Sequence, residues 1–93
     1  MQNSNCDISV IICAYTEDRW TELLKAVESI RQQSISAREI ILVIDHNTSL
    51  LERSRTQIAD AIVIENNRSK GLSGARNSGI ALARGTFIAF LDD

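Results

Sequence analysis

The chain has 93 residues, of which 44% are hydrophobic and 24% charged, and its formal net charge is −2. This balance is typical of one small globular domain, and it excludes an intrinsically disordered chain and argues against a general nucleic-acid binder. No histidine that could share a metal ion with Cys6 and Cys13 lies near them in sequence, because the single histidine is His46. We therefore expect neither a zinc site nor a disulfide scaffold. The absence of a disulfide pattern makes the cytoplasm the expected location.

Four short apolar runs predict buried β-strands. They are Ile8 to Cys13, Glu39 to Ile44, Ala61 to Ile64 and Thr86 to Leu91. Apolar residues at helical spacing between these runs predict three helices. The helices are one from Trp20 to Arg31, a weaker one through Leu50 and Ile58, and one from Leu72 to Arg84. Asp18 is the expected N-cap of the first helix, and Gly85 is expected to stop the third.

The alternation of strands and helices predicts an α/β fold with a Rossmann-like parallel sheet and helices on both faces. We expect the strand order 3-2-1-4, which brings Asp45 and Asp92 from the second and fourth strands toward one ligand. Ligands of such sheets bind beyond the carboxyl ends of the strands, where the winding direction reverses. The residues that follow the strands are therefore the candidate site residues.

Acidic residues follow two of the strands. Asp92 and Asp93 come after the fourth strand, and two adjacent charges of the same sign require a cation or hydrogen-bond donors nearby. Such oxygen ligands suit Mg²⁺ or Mn²⁺ shared with a diphosphate, and the alternative is a solvated loop. Asp45 ends the second strand, where it is expected either to accept hydrogen bonds from a base or ribose or to cap the next helix.

The segment from Asn67 to Gly79 contains three of the four glycines. It also contains three cations with no acid between them: Arg68, Lys70 and Arg76. Glycines before a helix, with cations alongside, can face a ligand that carries phosphate. The segment is not a P-loop, because Ile80 and Ala81 replace the required Lys-Ser/Thr pair. The alternative is a tight turn followed by small residues that pack the helix close to the sheet, namely Ala75, Ser78 and Gly79.

Three stretches together resemble the N-terminal half of family 2 glycosyltransferases with the GT-A fold. They are ISVIICAYTED, EIILVIDHNT and NRSKGLSGARNSGIALARGTFIAFLDD. The most specific part, GLSGARNSGIALARGTFIAFLDD, looks like the stretch that leads into the DXD motif of that family. The resemblance covers nearly the whole chain. It implies that residues 1–93 are the nucleotide-sugar-binding part of a truncated GT-A domain, without the acceptor-binding part.

The resemblance also implies an activity, a metal and site residues. The enzyme would transfer a sugar, with inversion, from a nucleotide-diphosphate sugar (usually a UDP-sugar) to a carbohydrate or lipid-linked acceptor, using Mg²⁺ or Mn²⁺. The nucleotide would be lined by Ala14, Tyr15, Thr16 and Glu17, and its base would bond Asp45. The nucleotide or diphosphate would also lie near Gly74, Arg76 and Asn77. Asp92 and Asp93 would begin the DXD motif, with Asp93 and a residue beyond it as metal ligands.

The general base is expected beyond Asp93, so we expect residues 1–93 alone to be inactive. Two positions depart from the usual family pattern and bear on the identity of the donor. The family often has a second acid or a small polar residue where His46 stands, and Asn where Thr16 follows Tyr15.

Two alternatives have a similar architecture. A sugar-nucleotidyltransferase usually has a glycine- and arginine-rich loop after the first strand, which the sequence AYTED lacks. A non-catalytic, receiver-like binding domain would have its acids after the first and third strands, whereas here they follow the second and fourth.

The fourth predicted strand, Thr86 to Leu91, is apolar and contains no charged residue. We expect this strand to form an open sheet edge with Phe87 and Phe90 exposed, and we expect the chain to associate with another copy through it. The expected location is the cytoplasm, including its membrane surface.

Overall fold

The computed structural model describes residues 7–33 and 37–91. Within these residues, four strands alternate with three α-helices. The strands are β1 (Ile8–Ala14), β2 (Glu39–Ile44), β3 (Ile62–Glu65) and β4 (Phe87–Leu91). The helices are α1 (Trp20–Arg31), α2 (Thr48–Gln57) and α3 (Leu72–Leu82), and a 3₁₀ turn, Glu17–Arg19, precedes α1. Asp92 and Asp93, the predicted start of the DXD motif, lie outside the described residues.

The strands form one sheet with the order β3-β2-β1-β4, and all three pairings are parallel. This arrangement confirms the predicted order 3-2-1-4. Ile11 of the central strand β1 pairs with Ile41 of β2 on one side and with Phe90 of β4 on the other. The winding of the sheet reverses at β1, so the carboxyl end of β1 is where a ligand is expected.

Alternate residues of β1 and β2 face two separate cores, because side chains along a strand point to opposite faces. Ile12 and Leu42 belong to the core formed with α1 and α2, whereas Ile11 and Val43 pack against Ala75 of α3. The helices therefore cover both faces of the central strands, as the continuous apolar runs predicted.

Small residues bring α3 close to the sheet. A Cβ atom on Gly79 would lie 2.8 Å from Cγ2 of Ile11 and 3.2 Å from Cγ2 of Val43. Ala75, one turn earlier in the helix, is fully buried against the same face. The predicted packing role of the small residues in this segment is therefore confirmed.

The end of α3 differs from the prediction. The helix ends at Leu82, and Ala83 already has an extended backbone, so Gly85 does not stop the helix. Gly85 instead passes close to the start of β1, where a Cβ atom would lie 2.7 Å from the Ser9 nitrogen. The glycine is required by the approach of two backbones, a need that nothing in the local sequence reveals.

The start of α1 also differs from the prediction. Thr16 accepts a hydrogen bond from the Asp18 nitrogen and so caps the 3₁₀ turn that precedes the helix. Asp18 lies inside this turn, and the residue before α1, Arg19, makes no side-chain capping bond. The N-cap prediction for Asp18 was wrong because a separate turn intervenes.

A polar network joins β1, β2 and the α3–β4 connection at the amino end of the sheet. Ser9 Oγ donates to Glu39 Oε2 at 2.6 Å and accepts a bond from the Gly85 nitrogen at 2.8 Å. The Arg84 nitrogen donates to the same Glu39 oxygen at 2.7 Å. Burial raises the pKa of Glu39, but the bonds from Ser9 and Arg84 outweigh it, and the pKa is lowered. We call Ser9, Glu39, Arg84 and Gly85 the amino-end network.

The strand β4 is poorly covered by the described helices. Phe87 is 65% exposed, and Ile88 and Phe90 are also exposed. The predicted exposure of Phe87 and Phe90 is therefore confirmed. Of the helices in the described residues, none combines the length and apolar character needed to cross a membrane.

Candidate functional site

A cleft of about 410 Å³ opens at the carboxyl ends of β1 and β2, beside the first turn of α3. Its lining consists of Cys13, Ala14, Tyr15, Asp45, Lys70, Gly71, Leu72 and Ala75. The volume lies within the range of small-molecule sites, and the position is next to the strand at which the winding reverses. The cleft is therefore the candidate binding site that the topology predicted.

The Asp45 carboxylate is the buried charged group of this cleft, with only 9% of the residue exposed. Its Oδ1 accepts hydrogen bonds from Asn66 Nδ2 at 2.8 Å and from His46 Nδ1 at 2.6 Å. Its Oδ2 accepts a bond from the Gly71 nitrogen at 2.8 Å. Burial raises the pKa of Asp45, but these three bonds outweigh it and lower the pKa, so the group is ionised at neutral pH.

The alternative role of Asp45 as a helix cap is excluded by the start of α2. Asn47 occupies the N-cap position, and its Oδ1 accepts a bond from the Leu50 nitrogen at 3.0 Å. Asn47 also donates from Nδ2 to the Tyr15 carbonyl at 3.2 Å, which ties the loop after β2 to the loop after β1. Asp45 therefore does not cap α2, and its carboxylate lines the cleft.

Asn66, which follows β3 directly, is a site residue that the sequence did not reveal. It is 3% exposed, and its Nδ2 donates to Asp45 Oδ1 at 2.8 Å and to the Ser69 carbonyl at 2.9 Å. Its Oδ1 accepts bonds from the Arg68 nitrogen at 2.9 Å and from Ser78 Oγ at 2.7 Å. The available signal was weak, namely a polar residue at the carboxyl end of a strand that neighbours the strand of Asp45.

Two glycines shape the loop between Asn66 and α3. Gly71 has a φ of 115°, a backbone conformation that favours glycine, and its N–H donates to Asp45. A Cβ atom on Gly74 would collide with the Ser69 carbonyl. Gly74, a predicted nucleotide contact, is therefore buried under the loop rather than in the lining of the cleft.

The predicted residues after β1 are divided between the cleft and the surface. Ala14 is buried as the last residue of β1, and Tyr15 is 68% exposed where it lines the cleft. Thr16 caps the 3₁₀ turn, and Glu17 lies 3.6 Å from Arg53 of α2 in an ion pair. Of these four predicted nucleotide contacts, Ala14 and Tyr15 line the cleft.

The remaining predicted residues lie on α3 or beyond the described chain. The Arg76 guanidinium lies over the ring of Phe90, 4.9 Å from its centroid, and so connects α3 to β4. Asn77 is exposed on the same helix. Neither belongs to the lining of the cleft. The aspartates at 92 and 93 lie outside the described residues.

The described residues do not offer a metal site. No group of three His, Cys, Asp or Glu side chains within residues 7–33 and 37–91 could hold a metal ion. Asp45 is unsuited to the role because three hydrogen-bond donors already occupy its two oxygens. The predicted metal ligand, Asp93, lies outside these ranges.

Comparisons with known proteins agree with this architecture. Residues 9–93 match the family described as "Glycosyl transferase family 2". Over 89 residues the chain is 29% identical to a glucosyl-dolichyl phosphate glucuronosyltransferase of Haloferax volcanii. The aligned part covers 92% of this chain and 28% of the relative. It is 39% identical over 88 residues to the UDP-Glc:alpha-D-GlcNAc-diphosphoundecaprenol beta-1,3-glucosyltransferase WfaP of Escherichia coli, covering 91% of this chain and 34% of the relative.

The fold and the cleft define a parallel α/β domain with a candidate binding cleft at its switch point. The match over residues 9–93 assigns the domain further, and the chain belongs to glycosyl transferase family 2. This membership favours the predicted resemblance over the nucleotidyltransferase and receiver-like alternatives. The chain spans about a third or less of the length of these two relatives.

Proposed function

We propose that this chain is the nucleotide-sugar-binding part of a glycosyltransferase that uses a UDP-sugar donor and inverts the anomeric centre. The observation that carries the proposal is the cleft at the carboxyl ends of β1 and β2, with one buried, ionised carboxylate, in a member of family 2. A cleft of this size accommodates a nucleotide.

In this proposal Asp45 binds the base. An ionised carboxylate carries about four acceptor positions, and three are filled by Asn66, His46 and Gly71. One position remains for a ligand N–H group, such as the imide of uracil. Tyr15 lies at the same cleft with an exposed ring that is available for contact with the base.

The start of α3 is the proposed diphosphate side of the cleft. Lys70 lines the cleft, and no ion pair of the described residues includes it. The N-terminus of α3 carries N–H groups without partners inside the helix and the positive end of the helix dipole. Both favour the binding of an anion there. Gly74, Arg76 and Asn77 stay in the proposal as residues near the diphosphate.

The transfer itself is proposed as a direct displacement. The acceptor hydroxyl oxygen forms a bond to the anomeric carbon while the bond from that carbon to the diphosphate breaks, and a carboxylate base takes the hydroxyl proton. We propose Mg²⁺ or Mn²⁺ at Asp93 and a residue beyond it, with Asp92 beginning the same motif, and a general base outside residues 1–93. No group of three or more His, Cys, Asp or Glu among the described residues could hold the metal, and both parts of the proposal rest on the family resemblance.

The names of two relatives support the choice of substrates. One names UDP-Glc as donor and a diphosphoundecaprenol-linked GlcNAc as acceptor, and the other names a glucosyl-dolichyl phosphate. We therefore propose a lipid-linked or carbohydrate acceptor, and a location in the cytoplasm at the membrane surface.

Nucleotide binding tests the proposal. We expect isothermal titration of the intact protein to show UDP binding in the presence of Mn²⁺, with ADP much weaker. Asp45→Asn should weaken UDP binding by about tenfold or more, because it removes the charge and one acceptor. Asp18→Asn, which changes an exposed carboxylate outside the cleft lining, is the matched control. An intact protein that does not bind UDP would contradict the proposal.

A further inference from the structure

We propose that Asn66 is a positioning residue, whose side-chain amide holds the Asp45 carboxylate and the loop from Asn66 to Gly71 in the geometry that binds the nucleotide. This inference rests on the proposed function, because it assigns a role to a residue that supports that site. Asn66 itself contacts no ligand in the proposal and acts through Asp45.

The hydrogen-bonding capacity of Asn66 is fully used. A side-chain amide has two N–H donors and two acceptor positions, and all four are occupied. The donors go to Asp45 Oδ1 and the Ser69 carbonyl, and the acceptors receive the Arg68 nitrogen and Ser78 Oγ. The residue is 3% exposed, and no capacity remains for a ligand.

The bonds have a direction that only an amide satisfies. The Nδ2 group faces two acceptors, whereas Oδ1 faces two donors. Aspartate has the same shape but would place a second charged oxygen at the Asp45 carboxylate, where like charges repel. The identity of this residue therefore affects the position of the Asp45 carboxylate, which His46 and Gly71 also hold.

Asp45 is bonded from both ends of the loop. Asn66 at the start of the loop donates to Oδ1, and Gly71 at its end donates to Oδ2 at 2.8 Å. Lys70 and Gly71 both line the cleft. Loss of the Asn66 amide would therefore remove one of the three donors that hold the carboxylate and would loosen the loop that forms the wall of the cleft.

Ser78 provides a matched control on the other side of the amide. Its single hydroxyl proton is donated to Asn66 Oδ1 at 2.7 Å, with Asn67 Oδ1 as a second acceptor 3.0 Å away, and the residue is buried. Ser78→Ala removes a buried hydrogen bond of Asn66 but leaves the bond between Asn66 and Asp45. A residue that serves only stability would respond alike to changes on either side.

The test measures UDP affinity of the intact protein by calorimetry at several pH values, with melting temperature as a parallel reading. At pH 7 we expect Asn66→Asp to raise the UDP Kd by about tenfold or more, and Ser78→Ala to change it by less than about twofold. The loss of UDP affinity in Asn66→Asp relative to wild type should become smaller as the pH falls toward about 5. At that pH a proton shared between the two carboxylates restores a hydrogen-bond donor to Asp45. Asn66→Ser should weaken binding without this recovery.

The outcomes separate the two proposals. A wild-type protein that fails to bind UDP overturns the proposed function, whatever the variants do. If wild type binds and Asn66→Asp binds within about twofold of it, or if Ser78→Ala weakens binding as much, the positioning role of Asn66 is wrong. If Asn66→Asp does not fold, Asn66→Ser at pH 7 decides by the same comparison with Ser78→Ala.

Discussion

His46 and Gly71 are the described residues with positive φ, at 54° and 115°, and both donate to the Asp45 carboxylate. A left-handed backbone costs about 1–2 kcal/mol at a residue with a side chain, so its presence at His46 indicates that the surrounding bonds hold it there. Gly71 avoids that cost because it has no Cβ. Backbone conformations that are rare elsewhere thus occur where the cleft needs its hydrogen-bond donors.

Arg76 is predicted to serve the ligand rather than stability. Its cation–π contact with Phe90 is partly exposed, and such contacts contribute about 0.5–1 kcal/mol. We therefore expect Arg76→Ala in the intact protein to raise the donor KM or lower kcat, with little change in melting temperature. Steady-state kinetics and calorimetry measure the two effects, and Arg76→Lys tests whether charge alone suffices. A large loss of stability with unchanged kinetics would argue against this role.

The sequence predicted Asp45 but not Asn66, for a physical reason. Asp45 directly follows an apolar strand, and an acid at that position can be recognised from the sequence alone. Asn66 stands before Arg68, Ser69 and other residues common in turns, and nothing local marks its side chain as buried. Its role arises only when β2 and β3 pair and their carboxyl ends become neighbours.

The strands were predicted to within one residue at either end, because short apolar runs leave little freedom in their placement. The predicted end of α3 was wrong by two residues, because Gly85 is needed for the close approach to β1 and does not terminate the helix. The exposure of β4 could be predicted only in part, because the strand is as apolar as its buried neighbours.

The packing of α3 can be tested at Gly79. Helix propensity favours alanine over glycine by about 1 kcal/mol, but the added Cβ would lie 2.8 Å from Ile11 Cγ2. Overpacking costs about 1–3 kcal/mol, so we expect Gly79→Ala to lower the melting temperature. Ala81→Ser adds one atom on the exposed side of the same helix and should change stability by less than about 0.5 kcal/mol. An unchanged or raised melting temperature in Gly79→Ala would show that α3 can move away from the sheet.

The amino-end network predicts a dependence of stability on pH. The folded pKa of Glu39 lies below the unfolded value of about 4.3, so its bonds stabilise the fold above that pH and are lost as the pH falls through the folded pKa. Glu39→Gln should be less stable than wild type at pH 7 and should lose less stability between about pH 5 and pH 3. Urea denaturation at a series of pH values measures this, and parallel curves for the two proteins would contradict it.

For the whole molecule, the uneven cover of the sheet predicts self-association. The strand β4 pairs with β1 and leaves Phe87 65% exposed, and an apolar, uncharged edge tends to pair with another chain. We expect the 93-residue chain to sediment as a species larger than a monomer, and Phe87→Glu to shift it toward the monomer. Leu24→Glu, at an exposed apolar position on α1, should not. A monomeric wild-type chain at high concentration would refute the prediction.

The position of β1 between β2 and β4 also bears on how the chain folds during its synthesis. The bond between Thr86 and Asp7 joins residues 79 positions apart, so one side of the central strand stays unpaired until β4 has left the ribosome. Synthesis proceeds at about 5–20 residues per second, and the nascent chain therefore carries an open, apolar strand for several seconds. Contacts this distant in sequence also slow folding itself. The strand at whose carboxyl end the cleft opens is thus exposed along one side until the sheet is complete.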